Sequence, residues 1–308
     1  MYDIIIIGCG PAGLTASIYA LRANKKVLLL EKENIGGQIT SSLKVENYPG
    51  FKEISGIDLM NNMYEQALNL GCDIELEEVL EIKDGEFKTV ITDENEYKAK
   101  AVIVSTGCKN RLLGLAKEED FIGNGISFCV ACDGAFYKNK EVAVIGGGNS
   151  AVANALSLSE GCEKVYLIQN LDFLTAEPTL IDQLSKKENV EVLLGYTVKE
   201  FVGEEELTSI KISGSEEKEI NFDGMFISIG HIPQSEAFKN VLKTNSGNYF
   251  ESSECITEVP GIFVAGDCRE KKIRQLTTAV NDGTIAALEA VNYINNLWLE
   301  KDYLNYKI

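Results

Sequence analysis

The sequence predicts an α/β chain built on two Rossmann-like, three-layer nucleotide-binding domains. An apolar strand that runs into a glycine turn and a helix occurs twice, near the N-terminus and near residue 145. Each copy is followed by helical sequence and a second apolar strand. The 308 residues are enough for two domains of ~100–200 residues each.

The first copy reads Asp3-Ile4-Ile5-Ile6-Ile7-Gly8-Cys9-Gly10-Pro11-Ala12-Gly13, with its second strand at Val27 to Leu30 and Glu31 at that strand's end. In a βαβ unit Gly8 permits the tight turn, and Gly10 lets the backbone approach a diphosphate seated on the helix N-terminus. Gly13 lets helix and strand pack closely, and Glu31 accepts hydrogen bonds from a ribose. The fingerprint is complete, which a lone glycine pattern is not.

The second copy, Glu141-Val142-Ala143-Val144-Ile145-Gly146-Gly147-Gly148-Asn149-Ser150-Ala151, keeps the turn, and its second strand is Val165 to Ile168. Its acidic residue is missing. Glu31 stands 23 positions after Gly8, and the residue 23 after Gly146 is Gln169. The stretch Gln169-Asn170-Leu171-Asp172-Phe173-Leu174-Thr175 holds no cation for a 2′-phosphate and no carboxylate at the strand end for a ribose. Nucleotide binding is therefore expected to be poor or absent in this half.

Two later segments complete the pattern. Gly261 to Asp267 reads as a short apolar strand ending in Gly-Asp, and Thr277 to Ile294 as a closing helix. A carboxylate at such a strand end suits the polar middle of an extended cofactor; a helix-capping Asp is the plainer alternative.

Between the two copies lies Cys129-Val130-Ala131-Cys132, followed by Asp133. Two sulfurs at this spacing close a small disulfide ring, and one thiol's pKa is lowered. Exchange needs a thiolate and a proton donor for the leaving sulfur, and Asp133 is placed to be that donor. Half of a zinc site and an inert buried pair are the alternatives. Structural zinc takes four Cys or His ligands, whereas the chain has one histidine, His231, and no second close cysteine pair. No metal is expected. Cys9, Cys72, Cys108, Cys162, Cys255 and Cys268 read as small apolar filler. His231 reads as a loop-shaping residue.

With 29 Lys and Arg against 47 Asp and Glu, the net charge is −18, which argues against a nucleic-acid partner. Arg269, Lys271, Lys272 and Arg274 form a local basic run, either a docking point for an acidic partner or a solvated loop. The N-terminal apolar run is too short for a signal peptide and lacks a basic leader. No stretch approaches the ~18–20 apolar residues of a membrane span. A cytoplasmic protein that meets no membrane is expected.

Two βαβ units with a cysteine pair between them resemble the low-molecular-weight thioredoxin reductases over nearly the whole chain. The resemblance rests on the two glycine motifs, Gly36-Gly37-Gln38, Val45 to Gly50, Ser105-Thr106-Gly107, Cys129 to Gly134, Gly266-Asp267 and Arg274-Gln275, in that family's order. It implies FAD contacts at Gly8, Gly10, Pro11, Ala12, Glu31, Gly37, Gln38, Asn47, Thr106, Gly107, Asp267, Arg274, Gln275 and Leu276, with Val79 beside the adenine. It implies a discontinuous FAD domain, residues 1–114 and 243–308, and an inserted, vestigial pyridine-nucleotide-type domain, residues 115–242, that carries the cysteine pair. It further implies catalysis by Cys129, Cys132 and Asp133, with Cys132 facing the flavin and Cys129 attacking thioredoxin, a homodimer, and rotation of the insert.

One departure is informative. NADPH-dependent members carry His-Arg-Arg and a further Arg where this chain has Gln169-Asn170-Leu171 and Thr175. In this the chain is similar to the ferredoxin-dependent flavin thioredoxin reductases, which implies ferredoxin as electron donor and thioredoxin as acceptor. An NADH- or NADPH-dependent thioredoxin reductase is one alternative, and a non-catalytic FAD/disulfide redox sensor another. The aromatic tail, Trp298, Tyr303 and Tyr306, is read as a cover for a flavin face or as ordinary packing.

Overall fold

A computed structural model describes residues 1–42 and 44–305, with side chains described to residue 297 in the last helix. Tyr306 and the side chains of Trp298 and Tyr303 lie outside the described residues. In chain order the first elements are β1 (Tyr2–Ile7), α1 (Pro11–Arg22), β2 (Val27–Glu31), α2 (Gly56–Asn69), β3 (Asp73–Leu76), β4 (Val79–Lys83), β5 (Lys88–Thr92) and β6 (Glu96–Val104). The chain then forms two compact units, residues 1–109 with 232–308 and residues 110–231.

In the first unit the sheet order is β3-β2-β1-β6-β5-β4. β3, β2, β1 and β6 are parallel, and β4, β5 and the start of β6 form an antiparallel meander. The four consecutive isoleucines of β1 explain themselves here. Ile4 and Ile6 face one layer with Leu14 of α1, and Ile5 and Ile7 face the other with Val79, Ile82 and Val90. A parallel strand buried on both faces needs a continuous apolar run, not an alternating one.

The second unit contains β7 (Cys108–Asn110) in part, then β8 (Ile126–Ser127), α3 (Val130–Asp133), β9 (Glu141–Ile145), α4 (Asn149–Ser159), β10 (Lys164–Gln169), α5 (Pro178–Leu184) and β11 (Val190–Leu194). It continues through β12 (Thr197–Gly203), β13 (Leu207–Ser213), β14 (Glu217–Asn221) and β15 (Gly224–Ile227). A parallel sheet, β11-β10-β9-β15-β8, is covered by α4 on one face. The antiparallel β12-β13-β14 meander covers the other, with Val198, Phe201, Ile210 and Ile212 against Ala143, Ile145 and Met225. Both units thus repeat one three-layer plan, as the sequence repeat predicts.

The chain returns through β16 (His231–Pro233) and β17 (Ile262–Val264), and α6 (Leu276–Asn305) ends the described chain. The crossings lie at 109–110 and 231–232, whereas the sequence reading puts them at 114–115 and 242–243. Contacts made far along the chain decide both. Arg111 N–H donates to Gly230 O, and Glu118 accepts from Leu113 and Gly114 N–H, which keeps this stretch in the second unit. Phe238 and Leu242 enter the first unit's core, and Asn240 Nδ2 donates to Ile82 O at 2.9 Å.

Helices α1 and α6 come into close backbone contact at Gly283, where a Cβ would stand 2.2 Å from Ala12 O. Backbone cannot yield as a side-chain tip can. Gly283→Ala is therefore expected to destabilise the protein by about 1–3 kcal/mol, read as a lowered urea midpoint with unchanged slope. An unchanged midpoint would show that the helices separate without cost. Among the described residues no helix is long and apolar enough to cross a membrane.

Candidate functional site

The first glycine turn is shaped from two directions. Gly8 has φ +103°, and a Cβ there would lie 2.5 Å from Ser105 O; a Cβ on Gly13 would lie 1.9 Å from Gly8 O. Those two glycines are required by the protein itself. Gly10 differs: a Cβ on it would meet no atom within 4 Å. The space it leaves opens at the N-terminus of α1, where Pro11 occupies the first turn and the helix dipole and free N–H groups favour an anion. Gly37 stands beside this turn, its Cβ position 3.5 Å from Gly10 Cα.

Glu31 closes the other side. Its Oε2 accepts from Cys9 N–H at 2.8 Å, and its Oε1 accepts from Lys32 and Glu33 N–H at 2.9 Å each. Three backbone donors fix the carboxylate at the end of β2. Gly8, Glu31, Val79 and Thr106, together with Ser235 and Phe238, line a cavity of about 320 Å³. This volume is within the range of small-molecule sites. Glu77, which also lines the cavity, accepts from Thr92 Oγ1, Asn95 Nδ2 and Tyr97 Oη. Burial opposes its charge, but the three donors more than offset this and hold its pKa below the ordinary carboxylate value. Thr106 donates to Gln234 O at 2.6 Å, and Gly107 O accepts from Gln234 N–H.

A second cluster gathers the later motif. Gly266 lies against Ala12, its Cβ position 3.0 Å from the alanine methyl, which brings Asp267 toward the first glycine turn. Arg274 stacks 4.0 Å over the Tyr249 ring and reaches Asp267 O through Nε. Gln275 N–H donates to Thr278 Oγ1, and Leu276 begins α6. Gln38 and Asn47 are exposed and do not line the cavity.

The basic run proves to be mostly internal. Arg269 grips the buried Asp282 with Nε at 2.9 Å and Nη2 at 3.0 Å. Lys271 Nζ lies 3.0 Å from Asp282 and 3.0 Å from Asp267 Oδ1, the latter an ion pair without hydrogen-bond geometry. Asp282 also accepts from Gly266 N–H at 3.1 Å. Burial opposes its charge, and Arg269 and Lys271 outweigh burial, so its pKa is lowered. Of the four basic residues only Lys272 is exposed. Nothing local in the sequence signals this network, because its acidic centre lies 13 residues from Arg269.

In the second unit Gln169 takes the place that Glu31 has in the first, and the cradle glycine Gly148 meets only Thr175 Oγ1, 3.7 Å from its Cβ position. The Gln169 side chain is buried against the glycine turn: a Cβ on Gly147 would lie 2.4 Å from Gln169 Nε2. Asn170 N–H donates to Gln169 Oε1, and Thr175 N–H donates to Gly147 O at 2.8 Å. Asn149 and Glu177 hold each other reciprocally beside the start of α4. Residues 169–177 thus fold back over the turn.

Cys129 and Cys132 are joined as a disulfide with Cα atoms 5.2 Å apart. Both are half-buried, at the start and within the short helix α3. Asp133 follows; burial raises its pKa, while a hydrogen bond from Ser127 works against the rise. The other cysteines are buried and free. Burial, aided at Cys9 by the nearby Glu31 carboxylate, pushes the Cys9 thiol up to about 12, and burial pushes Cys108 likewise; such thiols are inert at neutral pH. His231 Nδ1 lies 2.9 Å from Asn110 Oδ1.

Known proteins share this arrangement. Residues 2–283 match the family model described as pyridine nucleotide-disulphide oxidoreductase. A thioredoxin reductase of Bacillus subtilis (strain 168) is 42% identical over 303 residues, 96% of each chain. The crystal structure of thioredoxin reductase from Streptococcus pyogenes MGAS5005 superposes with a TM-score of 0.92 at 37% identity, over 96% of this chain and 99% of that one. A ferredoxin-flavin thioredoxin reductase from Clostridium acetobutylicum superposes with a TM-score of 0.52 at 30% identity, over 96% of this chain and 98% of that one. With strand, glycine turn, carboxylate and disulfide each in place, the chain belongs to the pyridine nucleotide-disulphide oxidoreductase family, among its thioredoxin reductases.

Proposed function

We propose that this flavin-dependent thioredoxin reductase takes its electrons from reduced ferredoxin and not from a pyridine nucleotide. The observation that carries the proposal is Gln169 packed on Gly147 at the strand end, where the first unit has the Glu31 carboxylate on Cys9 N–H, with no cation in residues 169–175. The Clostridium acetobutylicum neighbour supports it. The retained Gly146, Gly148 and Ala151 favour one rival, a reductase using NADH or NADPH.

FAD is the cofactor, and when bound it supplies a carrier that accepts electrons and delivers a pair to a disulfide. In this reading Gly8, Gly10, Pro11 and Ala12 hold its diphosphate at the start of α1, Glu31 a ribose, and Val79 the adenine edge. Gly37, Gln38, Asn47, Thr106, Gly107, Asp267, Arg274, Gln275 and Leu276 complete the contacts. The open cradle at Gly10 and the cavity bounded by Glu31 and Val79 support this assignment. The units 1–109 with 232–308 and 110–231 are then the FAD domain and the vestigial insert, and the protein works as a homodimer.

The chemistry at the sulfurs follows from the residues present. In the dithiol form Asp133 takes the Cys129 proton, and the Cys129 thiolate attacks one sulfur of the thioredoxin disulfide. That S–S bond breaks, and its leaving sulfur takes the proton back from Asp133. Asp133 next takes the Cys132 proton, and the Cys132 thiolate attacks Cys129 Sγ; the Cys129–thioredoxin bond breaks, the second thioredoxin sulfur leaves with that proton, and the Cys129–Cys132 disulfide is restored. An acid whose pKa burial has raised keeps a proton available for leaving sulfurs.

Thioredoxin reduction by the purified holoenzyme tests the donor. Photoreduced ferredoxin is expected to sustain turnover. NADPH and NADH, each at millimolar concentration, are expected to give less than about a hundredth of that rate, as the missing 2′-phosphate cations predict for NADPH and the missing strand-end carboxylate for NADH. Comparable rates with either nucleotide would assign the protein to the rival.

A further inference from the structure

Ser127 lies two residues before Cys129, outside the residues assigned so far, and is buried. Its place is set by the sheet: β8 pairs in parallel with β15, with Ser127 opposite Phe226 and Ile126 opposite Met225. Asp133, by contrast, is carried by the short helix α3, which packs against α4. The Ser127 hydroxyl joins the two. Cys129 N–H donates to Ser127 Oγ at 3.1 Å, and Ser127 Oγ lies 2.5 Å from Asp133 Oδ2.

With Asp133 ionised, the direction of both bonds is fixed by chemistry. A backbone N–H can only donate, so toward Cys129 the hydroxyl accepts. Its single proton is then free to point at Asp133, whose oxygen accepts it. One hydroxyl therefore ties the backbone of the first cysteine to the carboxylate. We propose that Ser127 is a positioning residue for disulfide exchange: it holds Asp133 in line with the cysteine pair and stabilises the carboxylate that receives the thiol proton. The inference rests on the reading of Asp133 as the acid and base of the exchange.

The electrostatic consequence has a sign. Burial favours the neutral acid, and a donated hydrogen bond favours the anion. A group that must accept a proton and return it in one cycle needs both forms within reach. Ser127 supplies the second tendency. Few other charges intervene. β8 and α4 have no titratable side chain, and the turn after α3 contributes Tyr137, whose own pKa is raised by burial and next by the charges of Asp133, Glu206 and Asp223.

The test is single-turnover exchange. The FAD-loaded protein is reduced anaerobically, freed of reductant and mixed with thioredoxin disulfide. Thiols are trapped with acid and alkylated across a pH series. Ser127→Ala is expected to slow exchange about tenfold or more, the loss expected for a hydrogen bond to a charged group. Its acidic limb is expected to move to higher pH, because Asp133 loses the donor that favours its anion. Ser127→Thr, which keeps the hydroxyl, is expected to restore both. In an Asp133→Asn background, Ser127→Ala is expected to add nothing. Ser127→Gly serves the same test if the alanine variant does not fold. A Ser127→Ala profile that superimposes on the wild type, or a full additional loss in the Asp133→Asn background, would overturn the proposal. A wild-type protein that leaves thioredoxin disulfide intact at every pH would instead overturn the function on which it rests.

Discussion

Replacing Cys129 or Cys132 by serine is expected to lower thioredoxin reduction by at least about three orders of magnitude, with FAD still bound. Exchange passes a disulfide from one pair of sulfurs to another, and a serine hydroxyl neither forms that bond nor ionises at neutral pH. The structural cost is small. The two cysteines are half-buried and only three residues apart, so their bond closes a loop too short to constrain the unfolded chain much. The residues proposed to hold FAD all belong to the other unit. Visible flavin absorbance and a thiol assay on thioredoxin, run on the same preparations, check both halves of the expectation. Flavin lost from both variants would make the pair structural.

Asp282→Asn is expected to cost about 3–5 kcal/mol, the penalty for breaking a buried ion pair from one side. Asp282 is 1% exposed and answers to Arg269, Lys271 and Gly266 N–H together. An asparagine leaves the largely covered Arg269 without its carboxylate and Lys271 with the Asp267 carboxylate alone. Because the Asp282 pKa is depressed below its ordinary 3.8, its contribution is full above that pH and is lost as pH falls through the lower folded value. The gap between variant and wild type should therefore narrow in acid. Denaturant unfolding at fixed excess FAD measures it; a loss below about 1 kcal/mol at neutral pH would contradict the account. The same change should loosen Gly266 and with it Asp267.

What was legible in the sequence was local. The isoleucine run of β1, the turn at Gly8 to Gly13 and the carboxylate at Glu31 keep their order and spacing within one βαβ unit, so the pattern is readable although Ser105, Val79 and Val90 complete their packing from farther along the chain. Val79 is a harder case. It lies in a separate strand, and only the family pattern placed it beside the cavity it lines with Glu31. The unread features depend on partners far along the chain. Asp282 sits in a helix whose sequence gives no sign that Arg269 and Lys271 will fold onto it. Ser127 resembles any serine until β8 and α3 bring its hydroxyl between Cys129 and Asp133. The absent cations near Gln169 were visible as composition, but that the glutamine itself packs on Gly147 was not. The crossings were displaced for the same reason, because Phe238 and Leu242 are apolar in a way that does not name their core.

The donor assignment rests on what the second glycine turn can still hold, and the flavin's own colour reports on it. Anaerobic, FAD-loaded protein is mixed first with excess NADPH, then with NADH, then with reduced ferredoxin, while the visible flavin band is followed. The band should stay unchanged through both nucleotides and bleach with ferredoxin. Rapid bleaching by NADPH or NADH would contradict the account.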